Sequence, residues 1–340
     1  MKSLAPSIQI SFVLFFLILL FACGSPKLSS YATKTDLKSK ANFDFNANKI
    51  RDNGKGFCVD MKALGKMPKR VALVSFYVSD PGLTKTTKSP STSTWNTTNT
   101  GDENARIFAN EYYAQSVQTL KSTFKEYGIE ILCPSEFLTN ENQKNAYHNF
   151  VVQHTTMNKV GEAFSKFSKN SNSNSTTIET DQAADGFELI KINKREQSDP
   201  KKKSVEKQNL ASSLDGKMIE SVGYELCKSL GVDAVLIVYN NQLCDEKWSK
   251  SRFWMSAVNM QLFGPNPTPL KEGKRDGNGY SKGLFYCGVR MQFSKGLLIN
   301  PKIKDEKALA INNNNNKLAY NNMIAGCSNK IGSYLKKELK

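Results

Sequence analysis

Two short apolar runs constrain the fold of this 340-residue chain more than any other feature. Residues 70–78 and 232–239 are rich in valine, alanine, leucine and aromatic side chains, and polar residues or glycine bound both runs. Runs of this kind are typical of buried strands. One helical pattern follows the first run and another precedes the second. Strands that alternate with helices predict a parallel pair connected by a crossover.

Apolar residues also recur at helical spacing in three segments. The spacing in residues 102–127 is four, three and four, which places the stripe on one helix face, and we expect Asp102 to cap the start of this helix and Gly128 to end it. A second helix begins near residue 213 and ends at Gly231. A third covers residues 318–339. The stripes of the first and third helices are Tyr113, Val117, Leu120 and Phe124, and Ile324, Cys327, Ile331 and Tyr334 or Leu335.

The remaining patterns predict shorter elements. A strand is expected at 129–133, where Pro134 ends the run, followed by a weaker helix at 140–153. Residues 257–262 alternate between apolar and polar, which is typical of a half-exposed strand, and 284–293 predict another. Short loops between these later strands favour an antiparallel extension. The sequence therefore predicts an α/β fold, with a mixed sheet and flanking helices, in a single main domain at residues 67–340.

Polar segments interrupt this pattern. Residues 79–101 and the asparagine run 312–316 predict loops. Residues 165–215 are rich in Ser, Asn, Thr and Lys, and their little apolar surface does not offset the entropy of ordering, so we expect a disordered insertion. Within it, the more apolar residues 186–192 are expected to add an edge strand or to serve as a docking segment.

The N-terminus has the features of an export signal. Lys2 precedes an apolar run at 12–21 that is too short for a comfortable membrane span. The stretch Leu20-Phe21-Ala22-Cys23 resembles the lipobox of bacterial lipoproteins. The resemblance implies a signal peptide at residues 1–22, cleavage between Ala22 and Cys23, and attachment of palmitate-type acyl chains at Cys23. Residues 23–66 would then be a lipidated tether with an edge strand near 43–45. The alternative is an ordinary signal peptide or anchor helix in which the cysteine occurs by chance.

The charge of the chain restricts the classes of partner that we expect it to bind. The sequence has 47 Lys+Arg against 31 Asp+Glu, a net charge of +16, and its mean hydropathy of −0.46 excludes a multi-span membrane protein. Most cations are lysine, whereas base and phosphate recognition favours arginine. Together with export, this argues against nucleic acid. It favours anionic lipid headgroups or an anionic glycan, unless the charge is simply a solvated lysine-rich surface.

The order of elements resembles a group of envelope proteins. This group contains the curli-secretion channel lipoprotein, lipoprotein activators of penicillin-binding proteins and the N-terminal domain of the Tol-system propeller protein. The similarity covers residues 67–150 and 213–300, and it depends on the strings at 69–76 and 230–236. Two segments depart from the group, the loop at 79–101 and the insertion at 165–215. The resemblance implies a non-enzymatic helper that docks onto other envelope components.

No motif in the sequence predicts a catalytic residue, a metal site or a cofactor. His148 and His154 are six positions apart, a spacing that does not form a zinc pair on one helix. Residues 276–279, Asp-Gly-Asn-Gly, are more typical of a hairpin turn than of a calcium loop. Cys58 and Cys244 lie in polar surroundings and are the candidate disulfide of an exported chain. The other cysteines lie in apolar patterns and are predicted to be free and buried, namely Cys133, Cys227, Cys287 and Cys327.

One cluster in the sequence has the composition of a binding surface. Aromatic residues are interleaved with cations over 247–254, as in sites for glycans or lipid headgroups. The alternative is ordinary hairpin and core packing. The candidate residues are Trp248, Lys250, Arg252, Phe253 and Trp254.

The sequence therefore predicts a lipid-anchored, non-catalytic protein of the cell envelope. We expect it at the outer membrane, facing the periplasm or the cell surface, where it would dock an envelope protein or an anionic glycan. Two alternatives stay open: an exported hydrolase of glycan or lipid that uses carboxylate chemistry, and a subunit of an oligomeric envelope ring. The sequence does not predict the oligomeric state.

Overall fold

The computed structural model describes the backbone of residues 40–45, 64–80, 83–88, 93–98, 100–150, 180–191, 219–247, 250–267, 282–300 and 314–339. Side chains are described in the same ranges except at 40–45, 83–88, 93–98, 243–247, 250–254, 292–300 and 314–316. The strands are β1 Lys40–Phe45, β2 Arg70–Asp80, β3 Leu83–Lys88, β4 Ser93–Thr98, β5 Glu130–Leu132, β6 Thr180–Ala183, β7 Ala234–Lys247, β8 Lys250–Pro265 and β9 Gly283–Asn300. The helices are α1 Asp102–Lys125, α2 Pro134–Phe137, α3 at 141–150, α4 at 219–230 and α5 Asn314–Glu338.

Seven of these strands form one mixed sheet. Their order is β1-β9-β8-β7-β2-β5, and β6 also pairs with β2. Strand β2 is parallel to β7 and to β5, whereas β1, β9, β8 and β7 are antiparallel neighbours. The predicted α/β fold with a mixed sheet and flanking helices is therefore confirmed. The parallel pair and the antiparallel extension are both present.

Helices cover both faces of the sheet, which gives three layers. On one face, α1 and α5 pack their apolar stripes against Leu73, Leu236 and Met260. On the other face, α2, α3 and α4 pack against Val74, Val235 and Phe263. Because both faces of the central strands are buried, β2 and β7 are apolar almost throughout their parallel pairing. The predicted stripe of α5 is confirmed by the burial of Ile324, Cys327, Ile331, Tyr334 and Leu335.

One carboxylate joins the starting ends of the parallel pair. The Oδ2 atom of Asp233 accepts hydrogen bonds from the backbone N–H groups of Lys69 (2.8 Å) and Arg70 (2.9 Å). The N–H of Asp233 donates in turn to the carbonyl of Arg70 at 2.9 Å. Gly231, just before it, ends α4 in the left-handed conformation at φ 66°, which glycine adopts without a Cβ penalty. The predicted helix end at Gly231 is confirmed.

Helix α4 approaches β8 and β9 more closely than ordinary side chains permit. Its Ser221–Leu226 segment is π-helical. A Cβ on Gly283 would lie 2.3 Å from the Glu220 carbonyl oxygen, and one on Gly223 would lie 2.9 Å from that of Gly264. The Glu220 carboxylate accepts hydrogen bonds from the N–H groups of Lys282 and Gly283 at 2.9–3.2 Å. Glycine and one buried carboxylate thus fix the helix on the strand ends.

Several sequence predictions are wrong in detail. The predicted loop at 79–101 contains the antiparallel β3–β4 hairpin. The predicted loop at 312–316 overlaps the start of α5 at Asn314. The cap position of α1 is Gly101, without a side-chain cap, while Asp102 lies in the first turn, where its charge favours the helix dipole. The strand at 257–262 is not half-exposed, because Ala257, Asn259 and Gln261 are as buried as their apolar neighbours.

Part of the predicted insertion belongs to the sheet. Within 165–215, the residues of β6 pair with Tyr77–Asp80 at the far end of β2. Residues 184–191, which overlap the segment that we expected to be an edge strand or docking piece, are not a strand but pack with Ile190 buried. The rest of the insertion lies outside the described residues, as do residues 151–153 of the predicted helix at 140–153.

Two hydroxyl groups hold this segment against β2. The register between β2 and β7 shifts between Leu73 and Ser75. At the shift, the Tyr147 hydroxyl donates to the Val74 carbonyl (2.5 Å) and accepts from the Glu188 N–H (3.0 Å). The Ser75 hydroxyl donates to the Glu188 carbonyl (2.8 Å) and accepts from the N–H of Ile190 (3.1 Å). The irregularity in β2 is therefore the attachment point for residues 184–190.

We expect Tyr147→Phe to destabilise the protein by about 1–3 kcal/mol, because it removes one hydroxyl from two buried backbone groups. Tyr127→Phe is the matched control, since the Tyr127 hydroxyl contacts Asn329 at an exposed site. Its effect should stay within about 0.5 kcal/mol. Urea unfolding of the full chain measures both changes, and equal midpoints for the two variants would contradict this role of Tyr147.

Candidate functional site

Most of the sequence-predicted site lies outside the described residues. Ala22, Cys23, Cys58 and Trp248 are all beyond them, so the lipid attachment and the disulfide between Cys58 and Cys244 stay predictions. For Cys244 the backbone alone is described, in β7 opposite Phe253. The backbone of Lys250, Arg252, Phe253 and Trp254 lies at the start of β8.

These β8 residues lie on an extension of the sheet that we name the distal arm. It comprises residues 242–247 of β7, 250–255 of β8 and 297–300 of β9. Strand β7 continues six residues past its last pairing with β2, from Asn241 to Lys247, which corresponds to about 20 Å. The register places Asp245 opposite Arg252 and Lys247 opposite Lys250. Four of the five predicted binding residues therefore lie at one end of the sheet.

The ends of the parallel strands that lead towards this arm carry polar side chains. Ligands of open α/β sheets bind beyond the carboxyl ends of the parallel strands, so these ends of β2 and β7 are the first place to look for a site. Here the two strands change from apolar residues to Ser79 and Asp80, and to Asn240, Asn241 and Gln242. Successive residues lie on opposite faces of a sheet, so the polar groups divide into two clusters.

The cluster under α1 and α5 is closed and buried. Asp80 accepts from both the N–H (2.6 Å) and the hydroxyl of Thr100. The Gln242 side chain accepts from the Tyr112 hydroxyl at 3.0 Å and contacts Thr100 at 3.5 Å. Beside it, the Tyr320 hydroxyl donates to the Asn240 side chain at 3.1 Å. Burial raises the pKa of Tyr112 and Tyr320 far above the ordinary tyrosine value, so both hydroxyls stay protonated donors.

The cluster on the opposite face forms a row across the sheet. Directly paired positions on β2, β7, β8 and β9 are Tyr77, Tyr239, Asn259 and Arg290. The rings of Tyr77 and Tyr239 stack, with their centroids 5.1 Å apart. Two positions further along β7, and on the same face, Asn241 pairs with Ser79. We name Tyr239, Asn241, Asn259 and Arg290, with the neighbouring ion pair Asp181–Lys191, the Arg290 cluster.

Hydrogen bonds connect the members of the Arg290 cluster. Asn241 Oδ1 accepts from Asn259 Nδ2 at 2.6 Å and from Arg290 Nη1 at 3.4 Å. Burial raises the pKa of Tyr239 to about 12; the charge of Asp181 also raises it, while Arg290 and Lys191 lower it. The charges of Asp181, Lys191 and Arg290 thus all act on one buried tyrosine of β7.

Neither cluster was predicted from the sequence. The alternation at 257–262 placed Asn259 and Gln261 on the solvent side of a half-exposed strand, and Arg290 was not among the candidate residues. A signal was available, because Asn240, Gln242 and Asn259 interrupt the most apolar strands of the chain, where a buried polar group needs a partner. What the sequence could not show was which distant residues those partners are.

The histidines and cysteines have structural surroundings. His148 is exposed and its Nδ1 lies 2.9 Å from Glu188, while His154 lies outside the described residues. Cys133, Cys227, Cys287 and Cys327 are free and buried, as predicted. In the described part of the chain, no group of three or more His, Cys, Asp or Glu residues could hold a metal ion. Nor is any helix in those ranges long and apolar enough to cross a bilayer.

No family model, curated protein or solved structure matches the chain. The resemblance to the envelope lipoprotein group therefore stays a prediction from the residues at 69–76 and 230–236. The first string is the start of β2. The second contains Gly231, which ends α4, and Asp233, whose carboxylate binds the backbone at the start of β2. Both strings therefore have structural roles in this fold.

We expect the four buried thiols to resist alkylation in the native protein. Burial raises the pKa of each thiol, so at mildly alkaline pH the reactive thiolate is scarce, and the reagent must wait for the fold to open. Peptide mapping after iodoacetamide treatment should find them unmodified, and fully modified in concentrated guanidinium chloride. Cys58 and Cys244 serve as internal references: they react natively if free and resist in both conditions without reductant if bridged. Native modification of Cys227, Cys287 or Cys327 would contradict the packing.

Proposed function

We propose that this protein is a lipid-anchored, non-catalytic component of the cell envelope that docks an envelope protein or an anionic glycan through its distal arm. The supporting observation is the position of the described part of the aromatic and cationic stretch, residues 250–254. It lies at the start of β8, in a strand pair that extends beyond the last pairing with β2. An extended sheet end presents backbone edges and side chains to a partner while the core behind it stays rigid.

The anchor and the sheet are close together in the chain. Strand β1, within the expected tether at 23–66, pairs antiparallel with β9 at one edge of the sheet. Sixteen residues, 24–39, separate Cys23 from this strand. Even fully extended they reach about 55 Å. A protein acylated at Cys23 would therefore hold its sheet within one domain diameter or two of the membrane surface, which suits a docking factor.

Three carboxylates that accept hydrogen bonds from backbone N–H groups support a non-catalytic role. Asp233 holds the start of β2, and Glu220 holds the start of β9. Glu136 accepts from the Cys133 N–H at 2.7 Å and pairs with Lys121 at 2.6 Å. Burial raises the pKa of Glu136, but the contacts with Cys133 and Lys121 lower it by more. The pKa therefore lies below its ordinary value, and the carboxylate stays ionised. Each of these acids is engaged in maintaining the fold.

The anchoring half of the proposal is tested at Cys23. We expect Cys23→Ala to abolish metabolic labelling with a fatty acid and to release the protein from membranes, because stable anchoring needs several acyl chains at this one residue. Cys58→Ala is the matched control and should keep both the label and the membrane fraction. Persistent labelling of the Cys23→Ala variant would refute the anchor.

The docking half is tested by site-specific photo-crosslinking in intact cells. A photoreactive amino acid at position 250 or 252 should yield one reproducible adduct, whereas the same group at Arg106, exposed on α1, should not. A protein partner gives a discrete mass shift and a glycan gives a ladder that glycan hydrolysis removes. Adducts from position 106 equal to those from the distal arm, or none from the distal arm, would contradict docking there.

A further inference from the structure

Arg290 has an unusual shortage of partners. A guanidinium offers five N–H donors, and one that is partly buried normally pairs with a carboxylate or several carbonyl groups. Among the described residues, Arg290 makes one hydrogen bond, at 3.4 Å to Asn241, and no carboxylate lies within ion-pair distance of it. Its charge and most of its donors are therefore available to an anion.

Its neighbour Asn259 has a hydrogen-bond acceptor that lacks a donor. The side chain is 1% exposed, and its Nδ2 donates to Asn241 Oδ1 (2.6 Å) and to the Tyr239 carbonyl (3.4 Å). The Oδ1 atom is buried without a hydrogen-bond partner. Turning this amide alone would set its oxygen against two other acceptors, Asn241 Oδ1 and the Tyr239 carbonyl. A buried acceptor of this kind destabilises the fold unless something donates to it.

The guanidinium of Arg290 and the unpaired oxygen of Asn259 lie on adjacent strands. Arg290 and Asn259 are directly opposite each other on β9 and β8, where Cβ atoms are about 4.5–5.5 Å apart. Asp181, 8% exposed at its side chain, adds a second buried oxygen without a partner, and it lies across β2 from Tyr239. With two cations, Arg290 and Lys191, and one carboxylate, Asp181, the Arg290 cluster has a net charge of +1. A ligand that fits it is an anion that also donates hydrogen bonds.

We propose that the Arg290 cluster binds a carboxylate that carries an O–H or N–H donor on the adjacent carbon. The carboxylate pairs with the fork of Arg290, and the donor reaches Asn259 Oδ1. A planar guanidinium matches a carboxylate with two parallel hydrogen bonds, and the orphan oxygen selects ligands with a donor beside it. Acidic sugars and peptide C-termini share this chemistry. The proposal stands independently of the lipid anchor and the distal arm.

Lactate and propionate form the matched ligand pair that tests this site, since they differ in the one hydroxyl. Calorimetric titration of the detergent-solubilised full chain should give millimolar binding of lactate, and binding of propionate weaker by about tenfold, the effect of one buried hydrogen bond. Inorganic phosphate should bind no better than propionate. Equal affinities for lactate and propionate, or no saturable binding of either, would overturn the proposal.

Substitutions at Arg290 and Asn259 test the two proposed ligand contacts separately. Arg290→Gln should abolish binding of both acids, and Asn259→Ala should remove the preference for lactate while keeping propionate binding, as in a double-mutant cycle. Arg106→Gln, a surface arginine on α1, is the control and should change neither affinity. Circular dichroism checks that each variant folds. If Arg290→Gln fails to fold, Arg290→Lys retains the charge without the fork, and unchanged lactate binding there would refute the bidentate contact.

Two further ligands identify the natural source. N-acetyl dipeptides present an N–H beside the terminal carboxylate, whereas glucuronate presents a hydroxyl and a sugar ring. Whichever binds at least tenfold more tightly than lactate, and loses that gain in Asn259→Ala, is the source class. A ligand that gains affinity but keeps it in Asn259→Ala would contradict the role of the orphan oxygen.

Discussion

The parallel pairing of β2 with β7 is the constraint on which the rest of the structure depends. Both strands are buried on both faces, and each large apolar side chain removed from water contributes about 1.5–3 kcal/mol. A parallel pair cannot be closed by a hairpin, so the chain between the strands must supply helices. It supplies layers on both faces, while Asp233 fixes the register at the starting ends. The opposite ends are left for polar groups.

Sequence periodicity predicted the elements whose reason for forming is local. The burial of Ile324, Cys327 and Ile331 is visible in their spacing, because one helix turn determines which face is apolar. The run at 70–78 also predicted a strand from local information, because nine consecutive and mostly apolar residues indicate a buried segment by themselves. Gly128 and Gly231 also announced helix ends, and both adopt positive φ. In these places local preference and tertiary packing agree, which is the condition for reliable prediction.

The predictions failed where pairing depends on distant residues. Three of the four residues at 180–183 are polar, and nothing in them indicates that they complete the edge of β2 opposite Tyr77 and Asp80. Asn259 alternates with apolar neighbours like any exposed residue, yet it is buried because β7 and β9 flank it and Asn241 satisfies its amide nitrogen. The Arg290 cluster brings together residues from β6, β7, β8 and β9. Its composition is a property of the sheet order, which no single segment encodes.

The sheet order also connects the two ends of the proposed function. Strand β1, the first strand in the described part of the chain, pairs Asn42 directly with Arg290 of β9. The same β9 continues into the distal arm and ends opposite Phe253. One strand therefore pairs with β1, carries Arg290 and helps to build the distal arm. Sites that share a rigid, hydrogen-bonded strand are coupled whenever a ligand or partner prefers one of its arrangements. In this fold the shared strand is β9, which would connect the proposed anion at Arg290 with the proposed partner at the distal arm.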